Sequence, residues 1–138
     1  DQKEALSMSD KIGIIHNKEI KQFDTPKNIY KNPNNFYIAN FLGEVNILPK
    51  FIAQELNLDL EKTNILRIHE TKITNEINNY KLNIINRLYC GEYEEVVLCF
   101  EKDEDSQIKL RVYNDSNISL DEKIYLDINK KQILSVKN

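Results

Sequence analysis

The chain has 138 residues, of which 41% are hydrophobic and 30% charged, with a formal net charge of −3. That length suits one compact domain, or a small one with an appendage, and a core that stands without disulfide staples. The acidic balance argues against a dominant role on nucleic acid, which needs a basic stripe to neutralise phosphates, and no apolar run approaches the about 20 residues that cross a bilayer.

Taken in order, residues 1 to 9 read as the end of a helix with Ala5, Leu6 and Met8 as core contacts. The chain opens inside that pattern with Asp rather than Met, so it reads as a piece of a longer protein. Residues 12–15 and 19–23 form short strands around a turn at His16, Asn17 and Lys18. Asn17 or Asp24 is expected in the left-handed conformation, which short polar side chains tolerate. Thr25 before Pro26 marks a helix start, because the hydroxyl can accept an orphan N–H and proline loses no hydrogen bond at the first helical position. Pro33 closes that helix, and Asn34 and Asn35 are placed to cap another, with Phe36, Ile38, Ala39, Phe41 and Leu42 on or beside one stripe and Gly43 at its end.

Pro49 can open a third helix through Phe51, Ile52 and Leu56. Thereafter Tyr80, Leu82, Ile84 and Leu88 alternate with polar or mixed positions, Gly91 turns the chain, and Val96, Leu98 and Phe100 form the next inward face. An acidic loop is expected at residues 101–106, followed by Ile108, Leu110 and Val112, a turn at Asn114 to Asn117, and alternation through Ile124, Leu126 and Ile128. A turn at Asn129 to Lys131 and a last strand with Ile133, Leu134 and Val136 complete the pattern. Short strands at this spacing predict a mainly β fold with short helices, a small antiparallel barrel or sandwich.

The run Asp1 to Ile12, together with Ile20, Gln22, Thr25-Pro26, Ile29-Tyr30, Pro33 and Phe41-Leu42-Gly43-Glu44, resembles a segment of ATP-binding subunits of ABC importers, in the group serving maltose, polyamines, sulfate and ferric iron. The matching segment follows the switch histidine of that family. Arg67 and Lys72-Ile73 resemble the family strand that ends in Arg-Pro-Glu, with Ile68 and His69 replacing the proline and glutamate. The resemblance implies that residues 1–42 end a nucleotide-binding domain and residues 43–138 form a TOBE-like regulatory domain of OB-like strands. It also implies dimerisation, permease subunits as partners of the parent, a peripheral position on the inner face of the cell membrane, and inhibition in some relatives by transported solute or a regulatory protein. Residues 1–33, cut from such a domain, are expected to pack on the regulatory domain or on a second copy.

No phosphate-binding loop is present in the sequence, so ATP and magnesium belong to the parent and no catalytic, cofactor or metal residue is assigned in this chain. The expected compartment is cytoplasmic, with no signal peptide visible. Several residues were weighed as chemistry and read as structure: His16 and His69 as surface or neighbour-satisfied histidines; Tyr89, Tyr93, Phe100 and Tyr113 as packing rather than a base-stacking platform; Cys90 and Cys99 as buried thiols; Asp1, Gln2 and Glu4 as first-turn helix residues. Arg67, Arg87 and Arg111 are anion-site candidates by charge alone, and the acidic stretch Glu92 to Glu95 is the place a polyamine would favour. The rival reading is a free-standing OB-like module for a small ligand or oligonucleotide.

Overall fold

The computed structural model describes residues 11–138, so the expected helix end over residues 1–9, and with it Asp1, Gln2 and Glu4, lies outside the described residues. Strands β1 (Ile12–His16) and β2 (Glu19–Asp24) pair antiparallel, with His16 opposite Glu19. The two residues between them, Asn17 and Lys18, both have positive φ, at 52° and 64°. A two-residue turn of that kind matches the twist of its flanking strands. Asn17 thus takes the left-handed conformation as expected, Lys18 shares it, and Asp24 does not.

Thr25 caps helix α1 (Pro26–Lys31), its hydroxyl accepting the Asn28 N–H at 3.2 Å. Asn35 caps helix α2 (Phe36–Phe41) through the Ile38 N–H at 2.9 Å. Gln22 fixes the link between these helices from β2: its amide donates to the Asn32 carbonyl (3.1 Å) and accepts from the Asn34 N–H (2.9 Å). Ile14, Ile29 and Ile38 form the buried centre of this region. Its helix α2 packs on the rest of the chain, Ala39 being buried with Ile65 and Val136 and the Phe36 N–H donating to the Lys137 carbonyl; within residues 11–33, the Tyr30 carbonyl accepts from Arg67 of β4.

Strand β3 (Val45–Ile47) leads into helix α3 (Lys50–Glu55), which follows Pro49 as anticipated. In the segment that resembles the family strand, β4 (Thr63–Arg67) gives way to a 3-10 turn at Ile68–Glu70, and β5 (Lys72–Thr74) joins a different sheet. Strands β6 (Lys81–Tyr89), β7 (Tyr93–Phe100) and β8 (Asp103–Tyr113) form a meander. The acidic stretch at 101–106 is therefore a loop only at Glu101 and Lys102; from Asp103 it is strand, with Asp103 opposite Phe100 across the β7–β8 hairpin and a register shift before Gln107 meets Cys99. Strands β9 (Ile124–Asp127) and β10 (Leu134–Val136) end the chain, with a 3-10 turn at Lys130–Gln132 between them.

The fold is mainly antiparallel β with short helices. The strands lie in a hairpin, a three-stranded sheet of order β10-β4-β3 and a five-stranded sheet of order β5-β9-β6-β7-β8. Among the described residues no closed barrel forms, contrary to expectation: β3 meets the β8 edge through a side chain, described below, instead of a hydrogen-bonded ladder. The main core lies on one face of the five-stranded sheet, where Val96, Leu98 and Phe100 meet Leu82, Ile108, Leu110, Ile124 and Leu126. Helix α3 covers it, with Phe51 edge-on to Phe100 at 5.7 Å between ring centroids. Cys90 is exposed at the β6–β7 hairpin and Cys99 is half-buried, which corrects the expectation of two buried thiols: Cys99 points to the face opposite the core and Cys90 lies beyond the strand.

Candidate functional site

Alternation along β7 and β8 sends Tyr93, Glu95, Lys109, Arg111 and Tyr113 to the face away from the main core, since Val96, Leu98, Ile108 and Leu110 occupy the inner one. Tyr30, the α2–β3 connection at Leu42, Gly43 and Glu44, and the 3-10 turn at Ile68 and His69 stand opposite. Between them lies a cleft of about 460 Å³. Its walls come from both the helical region and the sheets.

Lys109 dominates the floor. Its ammonium lies 2.9 Å from a Glu44 carboxylate oxygen and 3.4 Å from one of Glu95. The hydrogen bond to Glu44 is the largest influence holding Lys109 protonated above its ordinary range; desolvation opposes it, and Glu95 adds to it. Arg111 leans over the Tyr93 ring at 4.8 Å, and Tyr93 and Tyr113 sit 5.4 Å apart across the β7–β8 ladder. The neighbouring Tyr113, and after it Tyr93, raise the pKa of Arg111 above the usual arginine range. Counting Arg67, Lys109 and Arg111 against Glu44 and Glu95, with His69 neutral, the ionisable lining of the cleft carries one excess positive charge.

The other arginines have internal duties. Arg67 is 2% exposed and donates to the Ala39 carbonyl (3.0 Å) and the Tyr30 carbonyl (2.9 Å), with its guanidinium 3.9 Å from the Tyr30 ring centroid. Burial lowers its pKa, with Tyr30 and Glu70 opposing. Arg87 donates twice to Glu94, at 2.9 and 2.8 Å. Of the three candidates by charge, only Arg67 and Arg111 reach the cleft. The acidic stretch is likewise engaged from within, Glu94 by Arg87 and Glu95 by Lys109.

The two histidines are far apart in role: His16 stacks on Tyr37 at 3.8 Å, and His69 meets the Tyr30 hydroxyl at 3.2 Å. Of the four aromatics weighed as a stacking surface, Tyr93 and Tyr113 pair, Phe100 is fully buried on the other face, and Tyr89 stands exposed. Among the described residues no group of three or more His, Cys, Asp or Glu could hold a metal ion, and no helix is long and apolar enough to cross a membrane.

Sequence reasoning missed Asn46, Thr71 and Lys109. Asn46 is 5% exposed, and its amide pairs with both backbone groups of Lys109: Nδ2 donates to the carbonyl and Oδ1 accepts the N–H, each at 2.8 Å. One side chain thus supplies what another strand would give at the β8 edge, and the edge is blunted without a ladder. No local pattern marked Asn46, which stands two residues after the Phe41-Leu42-Gly43-Glu44 motif of the family resemblance.

No family model matches the chain. Curated relatives do. The chain is 30% identical to the spermidine/putrescine import ATP-binding protein PotA of Haemophilus ducreyi over 142 residues, covering 97% of the chain and 37% of that protein. It is 30% identical to the protein of the same name from Fusobacterium nucleatum subsp. nucleatum over 138 residues, covering 100% of the chain and 35% of the relative. A 57-residue stretch is 46% identical to the PotA of Hahella chejuensis. The chain spans little more than a third of the length of the relatives it matches end to end. Over nearly its whole length the chain is homologous to the C-terminal part of proteins named spermidine/putrescine import ATP-binding protein PotA.

Proposed function

We propose that this chain is the regulatory and dimerising end of the ATP-binding subunit of a polyamine importer. The observation that carries this reading is the end-to-end match to two proteins named for spermidine/putrescine import. In this reading residues 1–42 end the nucleotide-binding domain and residues 43–138 form a TOBE-like regulatory domain with OB-like strand patterning. The remainder of the subunit carries the phosphate loop, ATP and magnesium, while nucleotide-driven closure of two subunits moves the permease partners at the inner face of the membrane. The chain's own part is to hold two subunits together and to set how readily they close.

Support within the chain comes from its two-part construction. A helical and hairpin region presents Ile15, Ile20 and Phe23 outward at 62 to 65% exposure, a surface suited to the preceding domain, and is fastened to the sheets through Arg67, Ala39 and Phe36. Polyamine control at Glu92 to Glu95 would have to compete with Arg87 and Lys109 for Glu94 and Glu95. The cleft's excess positive charge disfavours a polyamine there without such competition.

The test is to truncate the whole subunit after residue 42 and measure ATP hydrolysis, polyamine uptake and subunit association. Retained hydrolysis with weakened association and altered response to spermidine is the expected result. Unchanged association and unchanged response would overturn the regulatory and dimerising roles. Salt-sensitive binding of the chain to single-stranded oligonucleotides would favour a stand-alone OB-like module instead.

A further inference from the structure

Three buried polar side chains join the helical region to the β8 edge in one unbroken series. The Arg67 guanidinium holds the Tyr30 and Ala39 carbonyls, one from each helix. The Arg67 carbonyl accepts the Thr71 hydroxyl at 2.9 Å, and that hydroxyl accepts from Asn46 Nδ2 at 2.9 Å. The Asn46 amide then pairs with the Lys109 backbone, whose side chain runs into the cleft between Glu44 and Glu95. Arg67, Thr71 and Asn46 are each 5% exposed or less, and no buried side-chain nitrogen or oxygen among the described residues lacks a partner.

A fully satisfied buried network resists piecemeal change, because displacing one member strands its neighbour's donor or acceptor away from water. Helices α1 and α2 bury Ile29, Ile38 and Ala39, and the two carbonyl bonds from Arg67 add to their seating. Beside the β3–β4 ladder, which sets Val45 opposite Arg67 and Asn46 opposite Leu66, Thr71 is the side-chain link between Arg67 and Asn46, for its hydroxyl is at once donor to one and acceptor from the other. Thr71 follows the 3-10 turn between β4 and β5. The turn folds the chain back so that the Thr71 hydroxyl reaches the Arg67 carbonyl four residues earlier, a separation of about 13 Å in an uninterrupted strand.

We propose that Thr71 is a coupling joint: displacement of helices α1 and α2 is transmitted through Arg67, Thr71 and Asn46 to the β8 edge, and so to Lys109 in the cleft. The proposal deepens the regulatory reading by naming how movement at the nucleotide-binding side would reach the cleft, although the coupling itself can be measured without transport.

The test is amide hydrogen exchange at Lys109, whose N–H is held by Asn46 and which Arg67 does not touch. Arg67→Lys, which keeps the charge but not the fork of donors, is expected to accelerate exchange at Lys109 by about fivefold or more, the size of effect that one network can transmit. In a Thr71→Val background the same substitution should change Lys109 by less than about twofold, whereas Thr71→Ser, which restores the hydroxyl, should restore the effect. Faster exchange confined to residues 26–42, with Lys109 unmoved by Arg67→Lys, would overturn the proposal, as would an equal effect with valine and threonine at 71. Should Arg67→Lys unfold the protein, Ile29→Val loosens the helices from their other side and is expected to give the same dependence on residue 71. A coupling that is present in exchange but without influence on ATP hydrolysis in the whole subunit would count against the regulatory reading alone.

Discussion

Residues 12–42 and residues 43–136 solve the burial problem in different ways. The later region places Val96, Leu98, Phe100, Ile108, Leu110, Ile124 and Leu126 on one sheet face and covers them with Phe51 and Ile52 from helix α3. The earlier region has only Ile14, Ile29 and Ile38 at its centre, leaves Ile15, Ile20 and Phe23 in solvent, and is otherwise held by polar groups: the Gln22 amide, two helix caps and the Arg67 fork. Hydrophobic burial scales with area and needs no aim, whereas each polar tether depends on a particular partner. The sheet region should therefore carry most of the stability, and the hairpin and helices should be the part whose opening is easiest.

The most direct attack on this contrast is Phe100→Ala, which empties the centre of the main core beneath Phe51. A loss of about 3–5 kcal/mol, read as a lower denaturant midpoint for the whole chain, is expected; a loss under about 1 kcal/mol would mean that the core is elsewhere. Ile29→Ala should cost about 2–5 kcal/mol, toward the low end because the small cluster can collapse. Its signature sharpens the comparison: amides of residues 12–42 should lose protection while those of β6 to β8 keep theirs. A uniform loss in both regions would make them one cooperative unit.

Removing a single polar tether tests the earlier region more finely. Thr25→Ala leaves the Asn28 N–H without its cap acceptor and should cost about 1 kcal/mol. Thr25→Ser should recover most of that loss in thermal melts.

The smallest expected effect lies in the sheet region's surface. The hydrogen bonds from Arg87 hold the Glu94 carboxyl below the ordinary glutamate range. A lowered folded-state pKa gives stability above the unfolded pKa that is lost as pH falls through the folded one. Wild type should thus lose a small increment of melting temperature on acidification below the ordinary glutamate pKa, and Arg87→Met should lack it. Parallel acid limbs would show that this exposed pair contributes nothing, as many surface pairs do.

Local chemistry was legible wherever a residue acts on its near neighbours in sequence. Thr25 and Pro26 start a helix, Asn35 caps the next, Gly91 at φ 88° turns the β6–β7 hairpin, and Val96, Leu98 and Phe100 face inward as their period of two requires. The residues chosen as sites by charge fared unevenly for the same reason. Arg67 looked like an anion ligand because sequence reports its charge but not the two carbonyls that absorb it.

Asn46 and Thr71 were silent, since an asparagine in a loop motif and a threonine after a histidine read as ordinary solvated residues. Their partners lie 63 and 25 positions away for Asn46, and no local pattern encodes a contact at that distance. At Ile68–Glu70 a 3-10 turn brings Thr71 back to the Arg67 carbonyl, and Asp103 to Ser106 join a strand through the β7–β8 hairpin with a register shift that their acidic composition did not signal.

By itself, then, the sequence determined the family, the mainly β class, the helix caps and the inward face of each principal strand, because these rest on short-range sterics and on the period of apolar residues. Tertiary structure alone decided that the strands divide into separate sheets, that Lys109 is held between Glu44 and Glu95, and that Asn46 takes the place of a neighbouring strand at the β8 edge. Those outcomes depend on which distant polar groups must find each other once water is excluded.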